Sequence, residues 1–334
     1  MTINVAINGF GRIGRNVLRA IVEGGRNDIR VVAINDLGPV ETNAHLLQFD
    51  SVHGRFPAEV KTTDDTIDVG RGPMKVTALR DPAELPWSDV DVVLECTGIF
   101  TSKEACQAHL ENGSSRVLIS APGKDADKTI VYGVNHDTLT AEDLIVSNAS
   151  CTTNCSVPLL KLLNEAVGLE YVSITTIHSA MNDQPVIDAY HQTDLRLTRS
   201  AMQSIVPVDT GLAVGISRLM PSLAGRFECL HVRVPTINVS AMDAALTVRR
   251  DTSAAQVNAL LHNASQQRLQ GVLGYTEAPM ASIDFNHDPR SGILDATQTR
   301  VAGTRLIKLL CWFDNEWGFA NRMLDISQRL ATFR

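Results

Sequence analysis

The six residues from Ser150 to Cys155, Ser-Cys-Thr-Thr-Asn-Cys, are the ones whose types and spacing most clearly indicate a reactive site. An apolar run, Leu144 to Val146, precedes them and an amphipathic segment, Val157 to Val167, follows, which indicates a strand, a tight turn and a helix. This order places Cys151 in the first turn of the helix, where unpaired N–H groups and the helix dipole favour an anion, and leaves Ser150 available as a cap. Because the thiolate is the nucleophilic form of cysteine, we predict that Cys151 is a catalytic nucleophile.

A thiol at the ordinary pKa of about 8.5 is only a few per cent ionised at neutral pH, so a nucleophilic cysteine needs a base. His178 closes the strand predicted over Tyr171 to Ile177 and begins a long polar segment, Ser179 to Val208. A loop of this length in a compact domain is usually functional, so we predict that His178 is the base. We interpret the other eight histidines as ordinary surface or core residues. The same interpretation applies to the other cysteines, which are Cys96, Cys106, Cys155, Cys229 and Cys311.

A glycine pattern near the amino terminus predicts a nucleotide site. Gly9, Gly11 and Gly14 lie between a predicted strand, Ile3 to Ile7, and a helical segment. In that context the first glycine permits a tight turn, the second lets the backbone approach a pyrophosphate, and the third allows close helix packing. Asp36 follows at the end of the next strand, where a carboxylate accepts hydrogen bonds from a ribose and disfavours a 2′-phosphate. We therefore predict NAD rather than NADP; the alternative is a structural turn with a solvated Asp36.

The elements that position these residues indicate an α/β protein with two domains. The first 150 residues alternate strand and helix, which is typical of a Rossmann-type, doubly wound parallel sheet and an NAD-binding domain. Residues 151–315 are predicted to form a second, α+β catalytic domain on a large mixed sheet, and a carboxyl-terminal helix within 316–334 is expected to pack back on the first. The predicted elements are strands Ile29 to Ile34, Asp91 to Glu95, Arg116 to Ser120, Leu144 to Ser147, Leu230 to Val234, Asp243 to Arg249 and Leu306 to Phe313, and helices Ala254 to Gln267 and Ala320 to Leu330.

Bulk properties exclude several classes of protein. The 334 residues carry a formal net charge of -7, which argues against a nucleic-acid binder and a polybasic membrane surface. No apolar run approaches the roughly 20 residues needed to cross a bilayer, and the amino terminus lacks a secretory pattern. Six scattered cysteines show neither zinc spacing nor a disulfide framework, so we expect no metal site and a cytoplasmic location.

Four segments together resemble the glyceraldehyde-3-phosphate dehydrogenase family, and the resemblance covers essentially the whole chain. They are Ala6 to Arg15, Ser147 to Cys155, Arg233 to Thr236 and Asp314 to Gly318. The resemblance implies a homotetramer, one NAD per subunit, and a long loop that lines the neighbouring cofactor pocket. It also implies Cys151 as nucleophile, His178 as its base and Asn315 as the residue that orients the nicotinamide carboxamide. The other expected cofactor contacts are Asn8, Gly9, Phe10, Gly11, Arg12, Ile13, Gly14, Asp36, Arg80, Thr97 and Ser120.

Arg233 is the main candidate for the substrate phosphate, because a guanidinium binds oxyanions in bidentate geometry. The other expected substrate or phosphate ligands are Ser150, Thr152, Thr153, Asp183, Arg196, Arg199, Thr210 and Gly211. Two positions depart from the family pattern. Met181 replaces a phosphate-binding threonine and cannot donate a hydrogen bond. Leu197 replaces the loop arginine, so Arg196 or Arg199 on either side would have to take its place.

The substrate prediction depends on segments that look more like the erythrose-4-phosphate dehydrogenase branch: Ile187 to His191, Pro207 to Thr210 and Pro235 to Val239. We therefore expect NAD-dependent oxidation of D-erythrose 4-phosphate to 4-phosphoerythronate, through a thiohemiacetal and a thioacyl enzyme that water hydrolyses. One alternative is phosphorylating glyceraldehyde-3-phosphate dehydrogenase, in which inorganic phosphate releases the acyl group. Another is a catalytically idle NAD-binding interaction protein, against which the Cys151 and His178 pair argues. The Asp314 to Trp317 segment speaks against a different cysteine-dependent semialdehyde dehydrogenase.

Overall fold

The structure, a computed structural model, describes residues 2–333 and divides into two units. The first unit holds residues 2–150 together with 319–333, and the second is Cys151–Gly318. Among the described residues, no helix is both long enough and apolar enough to cross a bilayer.

A parallel sheet organises the first unit. Its strands follow the order β10-β11-β9-β8-β1-β2-β7-β6-β5; those from β10 to β7 pair in parallel, and β6 and β5 add an antiparallel edge. A separate two-stranded ribbon is formed by β3 and β4. The strands are β1 Ile3–Asn8, β2 Ile29–Asn35, β3 Phe49–Asp50, β4 Gly54–Arg55, β5 Lys61–Thr62, β6 Thr66–Asp68, β7 Met74–Thr77, β8 Val92–Glu95, β9 Arg116–Ile119, β10 Lys128–Thr129 and β11 Ile145–Ser147; the helices are α1 Arg12–Glu23, α2 Val40–Gln48 and α3 Lys103–Glu111.

This arrangement confirms the predicted doubly wound sheet. Ile7 and Val93 on the central strands are fully buried, as expected for a sheet covered on both faces. Ala6, Val93, Val117 and the Trp87 indole belong to one core cluster of this unit. The carboxyl ends of β1, β2 and β8 are the edge at which a nucleotide binds in sheets of this type.

An eight-stranded mixed sheet organises the second unit. Its order is β13-β14-β12-β15-β19-β17-β16, with β18 beside β19; β12 runs parallel to β14, and β16 runs parallel to β17. The strands are β12 Leu169–Ser179, β13 Val206–Val208, β14 Phe227–Val234, β15 Ser240–Val248, β16 Leu273–Thr276, β17 Gly292–Asp295, β18 Arg300–Ala302 and β19 Leu306–Phe313; the helices are α4 Cys151–Val167, α5 Leu212–Leu219 and α6 Ala254–Gln266, and α7 Trp317–Leu330 begins here and continues in the first unit.

Several boundaries differ from the sequence prediction. The strand predicted to end at Ile177 extends to Ser179, so His178 lies inside the strand, paired with Arg233 of β14. The last helix begins at Trp317 rather than Ala320. Periodicity missed these ends because helix caps and strand extensions depend on pairing partners that are distant in sequence.

Candidate active site

Cys151 is the first residue of α4 and follows the turn that leaves β11. Ala149, within that turn, adopts a positive φ of 57°, a left-handed conformation that costs a residue with a Cβ about 1–3 kcal/mol. Ser147 stabilises the turn: its Oγ accepts from the Ala149 N–H at 3.0 Å and donates to the Ala121 carbonyl at 2.7 Å. Cys151, taken as a whole residue, is partly exposed.

His178 faces this thiol. Its Nε2 lies 3.7 Å from the Cys151 Sγ, and its Nδ1 lies 2.8 Å from the Ser179 carbonyl oxygen. A carbonyl oxygen can only accept, so Nδ1 carries the proton of the neutral ring and Nε2 presents its lone pair to the thiol. The ring is 3% exposed and packs edge-on against Phe313, with ring centroids 6.3 Å apart. This arrangement is that of a base aimed at a nucleophile.

Burial decides the charge of this pair. It raises the pKa of the Cys151 thiol, although the contact with Thr152 and the charge of Arg233 act in the opposite direction. It also lowers the pKa of His178 to about 4, despite the bond to the Ser179 carbonyl. Burial of the thiol therefore acts against the preference of the helix start for an anion. At neutral pH the pair is a neutral thiol and a neutral imidazole.

Arg233 supplies a buried positive charge beside the pair. The parallel register of β12 and β14 places Arg233 opposite His178, and the arginine is 8% exposed. Its Nη1 donates to the Asp183 carboxylate at 3.2 Å, and its Nε donates to His231 Nε2 at 3.2 Å. Its positive charge lowers the pKa of both Cys151 and His178. A guanidinium fixed in this way can bind the phosphate of a substrate.

The other predicted substrate ligands lie in two places: Ser150, Thr152 and Thr153 at the start of α4, and Thr210 and Gly211 just before α5. Thr152 Oγ1 lies 3.9 Å from the Cys151 sulfur. Thr153 is buried in the first turn of α4, and a Cβ placed at Gly215 of α5 would lie 3.6 Å from its hydroxyl. Thr210 Oγ1 accepts from the Leu212 N–H at 3.2 Å at the start of α5. Gly211, which precedes the first residue of α5, is exposed, and Ser150 is the residue before Cys151.

The structure exposes both Arg196 and Arg199 to solvent. Arg199 Nε pairs with the Asp188 carboxylate at 2.8 Å, and both side chains are more than half exposed. Arg196 is exposed in the short turn Leu195–Thr198. Leu197, at the position of the family arginine, is buried. The turn therefore directs an apolar side chain inward and the arginines outward.

Asn315 is held in one orientation by two serine hydroxyls. Its Oδ1 accepts from Ser179 Oγ at 3.0 Å and from Ser240 Oγ at 2.8 Å, so its Nδ2 is the donor end of the amide. The neighbouring Asp314 accepts from the Trp317 N–H at 2.8 Å and so caps α7. Sequence reasoning missed Ser179 and Ser240; their only signal was adjacency to His178 and to the Pro235-to-Val239 segment.

The glycine loop of the first unit fits a dinucleotide. A Cβ at Gly9 would lie 2.7 Å from the Thr97 nitrogen, and one at Gly14 would lie 2.1 Å from the Gly9 carbonyl oxygen, so both positions require glycine. A Cβ at Gly11 would meet nothing within 4 Å, which leaves room for a ligand. Gly11 also provides no side-chain cap for α1, so the helix start can receive a pyrophosphate.

Asp36 lies beside this loop. Its Oδ2 accepts from the Phe10 N–H at 2.8 Å, and its Oδ1 accepts from the Gly38 N–H at 2.9 Å. Each carboxylate oxygen keeps a second lone pair, so the group can also accept from ribose hydroxyls. Phe10 itself is fully buried and offers a ligand only its backbone.

The remaining predicted cofactor residues have mixed surroundings. Arg12 forms a bidentate pair with Asp50, which keeps the pKa of that carboxyl near 2. Arg80 is exposed, Ile13 and Ser120 are half-buried, and the Ser120 N–H donates to the Glu95 carbonyl at 2.9 Å.

A buried carboxylate braces two loops of this site. Glu95 Oε2 accepts from Asn8 Nδ2 at 2.6 Å, and its Oε1 accepts from the N–H and the hydroxyl of Thr97. His109 Nε2 lies 3.2 Å from Glu95 Oε2, and Trp87 Nε1 donates to His109 Nδ1 at 2.8 Å. An indole N–H can only donate, so His109 carries its proton on Nε2. Sequence reasoning missed this network because its members come from separate elements.

Among the described residues, no group of three or more histidine, cysteine or acidic side chains could hold a metal ion. The comparisons with known proteins agree with the geometry. Residues 3–103 match the profile of the "Glyceraldehyde 3-phosphate dehydrogenase, NAD binding domain", and residues 150–315 match that of the "Glyceraldehyde 3-phosphate dehydrogenase, C-terminal domain". The chain is 60% identical over 325 residues to a glyceraldehyde-3-phosphate dehydrogenase of Cereibacter sphaeroides, covering 97% of each protein. It is 58% identical over 327 residues to one of Xanthobacter flavus, again covering 97% of each.

Proposed function

This chain belongs to the glyceraldehyde-3-phosphate dehydrogenase family of NAD-dependent oxidoreductases, and we propose that its substrates are D-glyceraldehyde 3-phosphate and inorganic phosphate. Relatives that share about three residues in five over almost their whole length carry that name. These relatives favour glyceraldehyde 3-phosphate as the substrate over D-erythrose 4-phosphate, which the sequence alone predicted.

The proposal rests on one observation: His178 Nε2 lies 3.7 Å from the Cys151 sulfur, beside buried Arg233. His178 takes the thiol proton as the sulfur attacks the aldehyde carbon, which gives a thiohemiacetal on Cys151. The Cys151 N–H and the protonated imidazole would stabilise the oxyanion that develops. Arg233 would bind the phosphate of the substrate and so orient its aldehyde.

NAD, when bound, accepts the hydride of the oxidation. The glycine loop and the start of α1 would hold its pyrophosphate, and Asp36 would accept hydrogen bonds from its ribose. Ser179 and Ser240 donate to Asn315 Oδ1, so the Asn315 Nδ2 group would donate to the carboxamide of the nicotinamide. Asn8, Thr97 and Ser120 would support these contacts, and Arg12 and Arg80 would line the same end of the sheet.

Release of the acyl group is the second half of the proposed reaction. The oxidised substrate remains as a thioester on Cys151 until inorganic phosphate attacks it. Thr153, Thr210 and Gly211 would bind that phosphate, since the hydroxyl of Thr153 lies against α5, at whose start Thr210 and Gly211 lie. Ser150 and Thr152 flank the sulfur and would complete the site.

The decisive experiment measures NADH formation with each aldehyde, with and without inorganic phosphate. We expect glyceraldehyde 3-phosphate to give the higher kcat/KM and to require phosphate or its analogue arsenate for turnover. Preferred, phosphate-independent oxidation of erythrose 4-phosphate would contradict the proposal. Tight NAD binding with no NADH from either aldehyde would instead indicate an idle NAD-binding protein.

Erythrose 4-phosphate remains a second candidate because of one position. Met181, 45% exposed, stands where the family has a phosphate-binding threonine, and a thioether cannot donate a hydrogen bond. If this loss relaxes the phosphate site toward a longer aldehyde, Met181→Thr will raise the ratio of kcat/KM for glyceraldehyde 3-phosphate to that for erythrose 4-phosphate. An unchanged ratio would remove this candidate.

A homotetramer in the cytoplasm is the proposed state of the protein. The loop after β12 exposes large apolar side chains, including Val186 (72%), Ile187 (79%), Tyr190 (88%) and Leu195 (84%), which typically mark an interface. All six cysteines are free thiols, as a reducing compartment maintains them. Light scattering coupled to size exclusion tests the assembly, and a monomeric mass would contradict it.

A further inference from the structure

A second histidine, His231, lies against the proposed base and has no role in the mechanism above. It lies on β14 two residues before Arg233, so both side chains point to the same face of the sheet. Its ring stacks on the His178 ring, with centroids 4.9 Å apart and planes 27° from parallel. The Phe313 ring also packs edge-on against His178, so two rings contact the base.

The same ring holds Arg233. The Nε of Arg233 donates to His231 Nε2 at 3.2 Å. An arginine N–H can only donate, so Nε2 of His231 must be unprotonated, and the neutral ring carries its proton on Nδ1. Burial, with the nearby charges of His178 and Arg233, lowers the pKa of His231 to about 3. The ring is therefore neutral at neutral pH.

Two consequences follow for the neighbours. With Nε bound to His231 and Nη1 bound to Asp183, the Arg233 guanidinium is fixed in its plane, and its outer Nη edge remains for an oxyanion. The imidazolium that forms when His178 accepts the thiol proton meets the face of an uncharged ring rather than a second cation. One side chain thus touches both the group that binds phosphate and the group that takes the proton.

We propose that His231 is a positioning residue that sets the orientation of Arg233 through its Nε2 and that of His178 through its ring. This inference rests on the proposed function, in which Arg233 binds the substrate phosphate and His178 is the base. The two contacts are separable because they use different parts of the side chain, the acceptor nitrogen and the ring face.

Two substitutions separate the contacts. His231→Phe keeps a flat ring against His178 and removes the acceptor for Arg233. His231→Gln keeps an acceptor oxygen the same number of bonds from Cβ as Nε2 and removes the ring. Substitutions of exposed His262 on α6, to Phe and to Gln, are the matched controls.

The assays are steady-state kinetics and the single-turnover rate of NADH formation, with glyceraldehyde 3-phosphate and with unphosphorylated glyceraldehyde. We expect His231→Phe to raise KM about tenfold for the phosphorylated aldehyde only, the size of one hydrogen bond to a charged group. His231→Gln should slow the single-turnover rate about three- to tenfold with both aldehydes, the range of an aromatic pair. A merely structural role would give both variants the same defect with both aldehydes and would overturn the proposal.

Arg233→Ala, assayed in parallel, distinguishes failure of this inference from failure of the proposed function. If Arg233→Ala raises KM for the phosphorylated aldehyde and His231→Phe does not, the role of His231 is wrong and that of Arg233 stands. If neither variant changes KM, both are wrong. Thermal unfolding and NAD binding of each variant establish that the protein is folded.

Discussion

The nucleotide loop of the first unit and the catalytic centre of the second differ in how their charged and titratable groups are surrounded. At the glycine loop, the carboxylates of Asp36 and Glu95 accept from backbone and side-chain donors and fix the loop geometry. At the catalytic centre, burial raises the pKa of the Cys151 thiol and lowers that of His178, and the buried charge of Arg233 lies beside them. The first region is built to hold a ligand, and the second is built to react.

Backbone conformation differs in the same way. At the nucleotide loop the positive φ values are at Gly9 and Gly98, where they carry little cost. Close to the predicted catalytic residues, positive φ occurs at residues that resist it: Ala149 before Cys151, Val239 before Ser240, and His287, whose N–H donates to Asp314. Strain of this kind concentrates at functional sites and has to be held by its surroundings. The comparison indicates that substitutions in the two regions will separate binding from chemistry.

The largest effect should come from Cys151→Ser. Turnover should fall by at least about a thousandfold, because an alcohol beside a neutral imidazole is a far weaker nucleophile than a thiol. NAD affinity should stay near that of the unchanged protein. NADH formation and equilibrium NAD binding are the two measurements, and surviving turnover would exclude Cys151 as the nucleophile.

His178→Asn should slow acylation by roughly 10²–10⁴, the range for losing a general base. Deacylation should fall less if inorganic phosphate is the attacking group. Rapid-mixing measurement of the first NADH formed separates the two steps. An unchanged rate would assign the proton transfer to another group.

The pH dependence of thiol alkylation should distinguish a neutral pair from an ion pair. Burial raises the pKa of Cys151 and lowers that of His178 to about 4, so the thiolate fraction should rise about tenfold per pH unit through neutrality. An ion pair would give instead a plateau of reactivity that extends below pH 7. Iodoacetamide labelling of the enzyme without substrate, followed by mass spectrometry, measures the profile.

Glu95→Gln should have the smallest of these effects and only on binding. It replaces an acceptor oxygen with an amide that cannot accept from both Asn8 and Thr97, so we expect NAD to bind about tenfold more weakly with kcat nearly unchanged. His109→Gln, which can still accept from Trp87 and donate to Glu95, is the matched control. A loss of kcat without a change in NAD affinity would show that the brace does not act through the nucleotide loop.

Local patterns predicted the parts of the molecule that depend on local signals. The doubly wound sheet, the glycine turn and the start of α4 all follow from short-range order of apolar runs, glycines and polar breaks. His231 was interpreted as an ordinary histidine, because only the parallel register of β12 and β14 places it on His178. The outward turn of Arg199 depends on Asp188, eleven residues earlier, and no spacing rule indicates that ion pair.

The shared acceptor of the nucleotide loops has a kinetic consequence. Asn8 at the end of β1 and Thr97 after β8 bond to the two oxygens of the same buried carboxylate, so both segments depend on one anchor. The two segments should therefore exchange their amide hydrogens as one cooperative unit, with a common opening free energy. Cofactor binding would then slow exchange in both segments by the same factor, even where only one of them touches the ligand.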